Sequence, residues 1–327
     1  CYSPANWTPP GHASIFTGRY PVSHGAHKAR LDQGSRYPTC FPLLEEEATI
    51  AEMLSDTGYV TAAVVANYGF VSKAYGLDQG FHYWFASPPA RTRFTLASIT
   101  MKALPRVAPL LSTDAVFYRR ASETCRIALD WIRKHRDRPF FLFVNLMDPH
   151  EPYAPPSDWD REFGGKIEGF VPNADELRMG QTSFSASEWQ HIRSQYDGEI
   201  AYVDSELGKF FGTLDRLGVL SQSIIVVTSD HGEFLGEKGL LDHQIGLYEP
   251  VIRVPLIIKV AEGMGLPPAL ERETQTIDIA PTVLDLLGLD IPASIQGTSL
   301  LRNNDRPVIA QHYVDEHIQD WYGGRFS

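Results

Sequence analysis

Three short segments concentrate hydroxyl, imidazole and carboxylate side chains, which proteins use as nucleophiles, proton donors and metal ligands. They are residues 8–18 (TPPGHASIFTG), 148–153 (DPHEPY) and 229–233 (SDHGE), and His243 follows the third. In the first segment Thr8 is the candidate nucleophile, although a threonine hydroxyl reacts poorly until a metal or a base lowers its pKa. The alternative interpretation is an ordinary loop that leads into a helix.

The segment 229–233 predicts a metal site. Asp230 and His231 place a carboxylate oxygen beside an imidazole nitrogen, a pair that suits a divalent ion. Gly232 lets the backbone turn sharply and approach a ligand closely. In the alternative interpretation Asp230 caps a helix and His231 points to solvent, and the dipeptide alone does not decide between them.

Two more histidines are candidates for contact with an anion or a leaving group. His150 lies between two prolines, which stiffen its loop, so it suits a hydrogen-bond donor to an anion or a general acid. A packed histidine in a proline-rich turn is the alternative. His243 is either a second-site metal ligand, a cationic contact to substrate, or an ordinary loop histidine. Asp148 is predicted to be a turn residue or to support the site from behind.

The elements that must position these groups follow from hydrophobic patterning. Nearly continuous apolar runs at 60–66, 140–146, 224–228 and 254–258 predict buried strands. Helical periodicity lies between them, so we expect an α/β fold with a mostly parallel central sheet sandwiched by helices. Segments 148–153 and 229–233 directly follow strands, where such folds place their active sites.

Local signals refine the helices. Thr49 and Glu52 form a predicted capping box, and Asp278 is a candidate cap for the helix that ends at Gly288. Residues 125–132 and 200–214 have helical spacing of apolar residues. Two segments do not follow the alternation of strands and helices, namely residues 86–111 and 157–188. They are predicted to be long surface excursions, which are either lids or plain insertions.

The charge and cysteine content of the sequence restrict the binding partners and the cellular compartment that we expect. The 327 residues carry a net charge of −11, which argues against nucleic acid as the main partner but allows a small anion near a metal. The three cysteines have no spacing typical of a disulfide framework, which favours a reducing compartment such as the cytoplasm. No apolar run is long enough to predict a membrane span, and an upstream leader or anchor stays an open alternative.

Together the three segments resemble the sulfatase branch of the alkaline phosphatase superfamily, and the resemblance extends over almost the whole chain. In sulfatases the nucleophile is a Cys or Ser converted to formylglycine, in the pattern C/S-x-P-x-R, ten residues before the glycine of a TG pair. Thr8 holds that place before Gly18, with Pro10 at the proline position and His12 at the arginine position. Cys1 does not fit the pattern. T-x-P-x-H resembles the nucleotide pyrophosphatases and phosphodiesterases of the superfamily, which use an unmodified threonine.

The resemblance implies an alkaline-phosphatase-like fold and a role for each candidate. Asp230, His231 and Thr8 would bind a divalent ion (Ca, Mn, Zn or Mg), and His150 and His243 would contact the transferring group or protonate the leaving oxygen. His12 would support the anion as arginine does in sulfatases. In the family a first strand carries one or two further aspartate ligands. We therefore expect residues 1–327 to form one sulfatase-like α/β hydrolase domain that lacks this strand and a C-terminal subdomain.

The implied activity is hydrolysis of a sulfate or phosphate ester by in-line transfer to Thr8. A formylglycine hydrate expels sulfate by collapsing to the aldehyde, and a threonine ester cannot, so the chemistry favours phosphoryl transfer. A phosphodiesterase, a phospho-group transferase, or a catalytically inactive homologue that binds an anion are the alternatives. The expected substrate is an anionic small molecule, glycan or lipid-headgroup ester.

Overall fold

A parallel sheet forms the centre of the computed structural model, which describes residues 1–27, 40–86, 118–178, 180–243, 245–266, 272–303 and 306–312. Strand β1 (Val60–Val65) pairs in parallel with β2 (Tyr83–Phe85) on one side and with β3 (Phe140–Asn145) on the other. The β1–β3 register runs from Val60 opposite Phe140 to Val65 opposite Asn145, so both strands end at the same edge.

The remaining strands form two antiparallel pairs. Strand β4 (Ile225–Thr228) pairs with β7 (Leu256–Lys259), and the short strands β5 (Phe234–Leu235) and β6 (Leu241–Asp242) pair with each other. Each of the four apolar runs therefore overlaps a strand, but the prediction of burial holds only for β1: β3 and β4 are half-buried, and Ile257 of β7 is 62% exposed. The antiparallel direction of β7 was not predicted, because an apolar run carries no information about strand direction.

Eight α-helices surround the strands in the described part of the chain. They are α1 (Thr8–Thr17), α2 (Pro21–His24), α3 (Ile50–Asp56), α4 (Ala121–His135), α5 (Ala174–Arg178), α6 (Ala186–Arg216), α7 (Glu249–Ile252) and α8 (Ile279–Leu286). The periodic stretches at 125–132 and 200–214 lie within α4 and α6, so both helix predictions are confirmed.

The sheet is covered by helices on both faces, as an α/β fold requires. Side chains of β1 alternate between the two faces. Ala63 and Val65 pack in one cluster with Phe16 of α1, whereas Ala62 and Val64 pack in another with residues of α4 and α6. This alternation explains why β1 is apolar on both of its faces, with Thr61 as its one polar residue, rather than at every second position.

Of the two helix caps predicted from the sequence, the cap of α3 is present in the structure and the cap of α8 is not. The side chain of Thr49 accepts the backbone N–H of Glu52, and Glu52 accepts that of Thr49, so the capping box is confirmed. Asp278 precedes α8 but its carboxylate does not cap it. A 3₁₀ turn over Thr276–Asp278 leads straight into the helix, and the carboxylate accepts instead from the backbone N–H groups of Gln275 and Thr298.

The structure describes one of the two predicted surface excursions almost completely and hardly any of the other. Between residues 157 and 188 the described chain consists largely of exposed turns, with α5 as a short helix within them. Of the other excursion, residues 87–111 lie outside the described residues. No helix in the described ranges is both long and apolar enough to cross a membrane.

A cavity of about 1470 Å³ lies between β3 and β4. Apolar side chains of both strands and of α6 line most of it, including Leu142, Val226 and Phe210. Thr8, His12, Asp230 and His231 are also in its wall. The cavity therefore joins the apolar interior of the fold to the predicted chemical groups.

Candidate active site

Thr8 is the first residue of α1 and is buried. Trp7 before it has an extended backbone (φ −164°, ψ 168°), and the prolines at positions 9 and 10 suit the first helical turn, where an N–H has no helical partner. Prolines lack an N–H, and the N–H of Gly11 donates to the carbonyl of Trp7 at 3.2 Å. In this first turn, at most the N–H of Thr8 can face an anion, so the start of α1 contributes little to anion binding.

Thr8 meets His231, which follows strand β4. Oγ1 of Thr8 lies 3.3 Å from Nε2 of His231, and Nδ1 of His231 lies 2.9 Å from the carbonyl oxygen of Gly232. A carbonyl only accepts hydrogen bonds, so Nδ1 carries the proton and Nε2 presents its lone pair to Thr8. The hydroxyl of Thr8 therefore donates to His231, an arrangement that suits an activated nucleophile.

Asp230 lies against the same helix start. The hydroxyl of Ser3 donates to its backbone carbonyl at 2.5 Å, and a Cβ atom at Gly11 would lie only 2.8 Å from that carbonyl oxygen. Glycine at position 11 is thus what allows α1 to approach the turn after β4. Burial raises the pKa of Asp230, but His231 and His12 lower it more, so the pKa lies well below its ordinary value.

His12 is buried on α1, one turn after Thr8. Its Nδ1 lies 3.0 Å from the carbonyl oxygen of Thr8 and 3.2 Å from Oδ2 of Asp230. Burial lowers the pKa of His12, but the Asp230 carboxylate and the two hydrogen bonds outweigh it, so the pKa is raised. A histidine that is protonated more readily than usual fits the anion-supporting role expected at this position.

The geometry of Asp230, His231 and Thr8 fits a metal ion. Nε2 of His231 lies 3.5 Å from Oδ2 of Asp230 and 3.3 Å from Oγ1 of Thr8. Ligand atoms about 2.1 Å from one tetrahedral ion are separated by roughly 3.4 Å. Oδ2 of Asp230 is buried with Nδ1 of His12 at 3.2 Å, and a cation beside it would further stabilise the charged oxygen.

His150 and His243 lie beside His231. Ring centroids are 4.1 Å apart for His231 and His243, 5.4 Å for His150 and His243, and 6.3 Å for His150 and His231. Burial, together with the two neighbouring histidines, lowers the pKa of His243 well below its ordinary value. His243 is therefore neutral at neutral pH, which favours a ligand or hydrogen-bonding role over the cationic contact considered from the sequence.

Asp148 has the supporting role predicted for it. Its buried carboxylate accepts from the guanidinium of Arg120 at 3.0 Å and from the backbone N–H of Ala121 at 3.0 Å. Arg120 also donates to the carbonyl of Ala154 at 2.7 Å. These contacts fix both ends of the loop that carries His150 to the start of α4.

Sequence reasoning missed Glu233 and Tyr153, although both lie in the quoted segments. Glu233 is buried, accepts the hydroxyl of Tyr153 through Oε2, and has Oε1 at 3.8 Å from Nε2 of His150. His150, Glu233 and His243 each offer a ligand atom within 4.8 Å of the others. The pairing of Glu233 with Tyr153 spans 80 residues, so nothing in the local sequence indicated it.

Comparison with known proteins gives one family match and distant relatives. The family model for Sulfatase matches residues 1–289. The multifunctional alkaline phosphatase superfamily protein PehA of Trinickia caryophylli is 29% identical over 201 residues, covering 53% of this chain and 39% of PehA. An N-acetylglucosamine-6-O-sulfatase of Bacteroides thetaiotaomicron is 34% identical over 145 residues, covering 43% of this chain and 25% of that enzyme. The chain thus spans well under half the length of these two curated relatives.

A solved structure shows the same fold. The phosphonate monoester hydrolase from Silicibacter pomeroyi superposes with a TM-score of 0.65 at 21% sequence identity, and the match covers 92% of this chain and 67% of that one.

Proposed function

The chain belongs to the sulfatase family, and from that premise we propose that it hydrolyses phosphoric or sulfuric esters by in-line transfer to Thr8. The carrying observation is the 3.3 Å contact between Oγ1 of Thr8 and Nε2 of His231, with Asp230 beside both. This contact joins a hydroxyl to an acceptor and to a buried carboxylate in one pocket.

Two displacements make up the proposed reaction. In the first, Oγ1 of Thr8 bonds to the phosphorus or sulfur atom, its proton passes to water, and the bond to the leaving oxygen breaks as that oxygen gains a proton. In the second, water attacks the Thr8 ester, the bond to Oγ1 breaks, and Oγ1 regains a proton. Splitting the reaction in this way replaces one difficult step by two easier ones.

The other residues bind and orient the transferring group. Asp230, His231 and Thr8 would hold a divalent ion, which when bound supplies positive charge to the oxygens of the group. His12, whose pKa is raised, supports the anion from α1. His150, beside His231, would contact the group, or protonate the leaving oxygen when both of its ring nitrogens carry protons, and the neutral His243 would contact the group without acting as an acid.

Phosphoric esters are the preferred substrates in this proposal. Position 8 holds threonine, so the covalent intermediate is a threonine ester that must be hydrolysed directly. A phosphate ester of threonine is attacked by water more readily beside a cation than a sulfate ester, because charge neutralisation exposes phosphorus to attack. The family resemblance favours sulfate esters as substrates, whereas the threonine at position 8 favours phosphate esters.

The substrate would be an anionic small molecule, glycan or lipid-headgroup ester. The relatives include a protein named as an N-acetylglucosamine-6-O-sulfatase, and a structural neighbour named as a phosphonate monoester hydrolase. Neither name is carried over to this chain, because the identities are low and only part of each relative is covered. A net charge of −11 argues against nucleic acid.

The test compares Thr8→Val with Thr17→Val, two isosteric losses of a hydroxyl from the same helix. Thr17 lies at the far end of α1, where its hydroxyl donates to the carbonyl of Ala13 at 2.7 Å. Rates are measured for bis(4-nitrophenyl) phosphate and 4-nitrophenyl sulfate with Mn²⁺, Ca²⁺ or Zn²⁺ added. We expect kcat/KM for the phosphodiester to fall on the order of 10³-fold or more in Thr8→Val alone.

Mass spectrometry of quenched reactions gives an independent readout, since the intermediate adds a phosphoryl or sulfuryl group to Thr8. Equal rates in wild type and Thr8→Val would refute the nucleophile. Faster turnover of the sulfate would refute the preference for phosphate. Anion binding without any turnover by the wild type would identify an inactive homologue.

A further inference from the structure

Asp242 has an unusual backbone conformation directly before His243. Its φ is 71°, and among the described residues Lys238 is the one other non-glycine residue with a positive φ. A left-handed backbone is unfavourable for a residue with a Cβ atom, and it persists where the surrounding structure holds it in place. Such residues are concentrated at functional sites, so the contacts of Asp242 suggest what the conformation is for.

The carboxylate of Asp242 holds His243 from one side. Its Oδ1 accepts the backbone N–H of His243 at 2.6 Å and lies 3.3 Å from Nε2 of the ring. On the other side, Nδ1 of His243 lies 3.2 Å from the carbonyl oxygen of Asn6, two residues before Thr8. Both the backbone and the ring of His243 are therefore fixed relative to the candidate nucleophile.

Arg178 holds the other oxygen of Asp242. Its Nη2 donates to Oδ2 of Asp242, and its Nη1 donates to Asp175 at 3.0 Å. The side chains of Arg178 and Asp242 are only 15% and 12% exposed, so solvent screens their attraction weakly. Helix α5 ends at Arg178, and its Leu177 packs in one apolar cluster with Leu241 at the start of β6. This packing places the guanidinium at the end of β6.

Stability alone does not account for the pair of Arg178 and Asp242. A buried ion pair contributes little net stability, because desolvation of both charges offsets their attraction. The left-handed backbone adds a cost that glycine at position 242 would avoid. What the pair does fix is the position of a carboxylate against His243.

We propose that Arg178 is a positioning residue for the reaction: it holds the carboxylate of Asp242, which in turn fixes His243 against the transferring group. The inference rests on the proposed function, and it gives the surface excursion 157–188 a part in it, since α5 supplies the guanidinium. Arg178 does not touch the substrate in this proposal and acts on the rate only through Asp242 and His243.

A double-mutant cycle tests that route. Rates for bis(4-nitrophenyl) phosphate are measured for wild type, Arg178→Met, Asp242→Gly and the double variant. Glycine removes the carboxylate and tolerates the left-handed backbone. We expect kcat to fall on the order of 10- to 100-fold in each single variant, because a small displacement of a group that meets the substrate is costly. KM should change little.

The double variant and a charge control complete the cycle. The double variant should be no slower than Asp242→Gly, since Arg178 has no other route to the reaction. Asp175→Asn should keep the wild-type kcat, because Asp175 is 58% exposed and its pairing with Arg178 is weak. Additive losses, or a raised KM with unchanged kcat, would show that Arg178 acts on the substrate directly or through its charge, and would overturn the proposal.

Imidazole NMR provides a readout that does not require turnover. The protein is labelled with nitrogen-15 histidine, and the ring signals of His243 are assigned from their loss in His243→Gln. These signals should shift in Arg178→Met and in Asp242→Gly but not in Asp175→Asn, and those of the buried His24 should not move in any variant.

The NMR result also separates the two levels of the proposal. Unchanged His243 signals in both variants would overturn the positioning role, whether or not the wild type turns over. Shifted signals in a protein that hydrolyses no ester would refute the proposed function and leave the contact through Asp242 intact. Circular dichroism checks folding, and Arg178→Lys, which keeps the charge but loses the planar fork, replaces Arg178→Met if that variant is unfolded.

Discussion

Oγ1 of Thr8 lies 3.3 Å from Nε2 of His231, although 223 positions separate the two residues in the sequence. The start of α1 and the end of β4 form this contact because Gly11 lets the helix approach the backbone of Asp230. The reactive pair therefore depends on a helix–turn contact made by backbone atoms as much as on the two side chains.

Gly11→Ala should destabilise the protein even though alanine favours helices. The new Cβ would lie 2.8 Å from the carbonyl oxygen of Asp230, and overpacking of this kind costs about 1–3 kcal/mol. Gly208→Ala in α6 is the matched control, because no atom lies within 4 Å of its new Cβ. The control should stabilise by about 0.5–1 kcal/mol. Urea unfolding of both variants gives the comparison, and a stabilised Gly11→Ala would contradict the close contact.

Loss of the guanidinium at position 120, immediately before α4, should lower the free energy of unfolding far more than loss of the guanidinium at position 126 within α4. Arg120→Met leaves the buried carboxylate of Asp148 without its ion-pair partner, which costs about 3–5 kcal/mol. Arg126 pairs with Asp130 on the surface, with the two side chains 62% and 47% exposed, so Arg126→Met should cost at most about 1 kcal/mol. Equal free energies of unfolding for the two variants would show that the buried pair does not hold the His150 loop.

Acid should destabilise the protein through His24. Burial, followed by the charges of Arg19 and His27, lowers the pKa of His24 to about 3, while its ordinary value is 6.5. Nδ1 accepts the N–H of Ala26 and Nε2 bonds to Ser14, so the folded state needs the neutral ring. The unfolded chain binds the proton first, and the stabilisation is therefore complete above about pH 6.5 and is lost progressively as the pH falls towards 3.

His24→Asn removes this titration and keeps an acceptor for the N–H of Ala26. The difference in unfolding free energy between wild type and His24→Asn should shrink by about 2 kcal/mol between pH 7 and pH 5. Urea titrations at the two pH values measure it. A difference that does not change with pH would show that His24 titrates normally in the folded state.

Tyr153→Phe should destabilise the protein. The tyrosine hydroxyl donates to Oε2 of Glu233, and its removal leaves a buried carboxylate oxygen without this donor, which costs about 1–3 kcal/mol. Tyr196→Phe is the control, because it removes a hydroxyl from the ring that packs edge-on against Tyr153 at 5.8 Å. Urea unfolding of both variants measures the effect. Equal losses in the two variants would mean that the hydrogen bond to Glu233 is not responsible.

Much of the framework could be predicted from local sequence. The capping box at Thr49 and the positions of the strands depend on short-range patterns, and both were predicted, although only β1 has the burial that its apolar run indicated. Strand ends also located the loops of His150 and His231, since each loop directly follows a strand. The direction of β7 and the position of the Asp278 carboxylate could not be predicted, because they depend on partners far away in the chain.

The candidate site also has features that could be predicted from local sequence and features that could not. Thr8, Asp230 and His231 were found from residue types and spacing, and the structure brings them together. The orientation of the histidines was inaccessible, since it is set by carbonyl groups whose position only the fold determines. In the sequence, Glu233 is only the last residue of the segment 229–233 and was given no role. In the structure it is buried, and its carboxylate accepts the hydroxyl of Tyr153.

The cavity between β3 and β4 leaves strand edges open. In the described chain β3 pairs with β1 alone and β4 with β7 alone, and every residue of β3 and β4 lines the cavity. An open strand edge presents a row of N–H and C=O groups to which another strand can bond. The chain on its own should therefore tend to associate through these edges, and a strand that occupies the cavity should suppress that association.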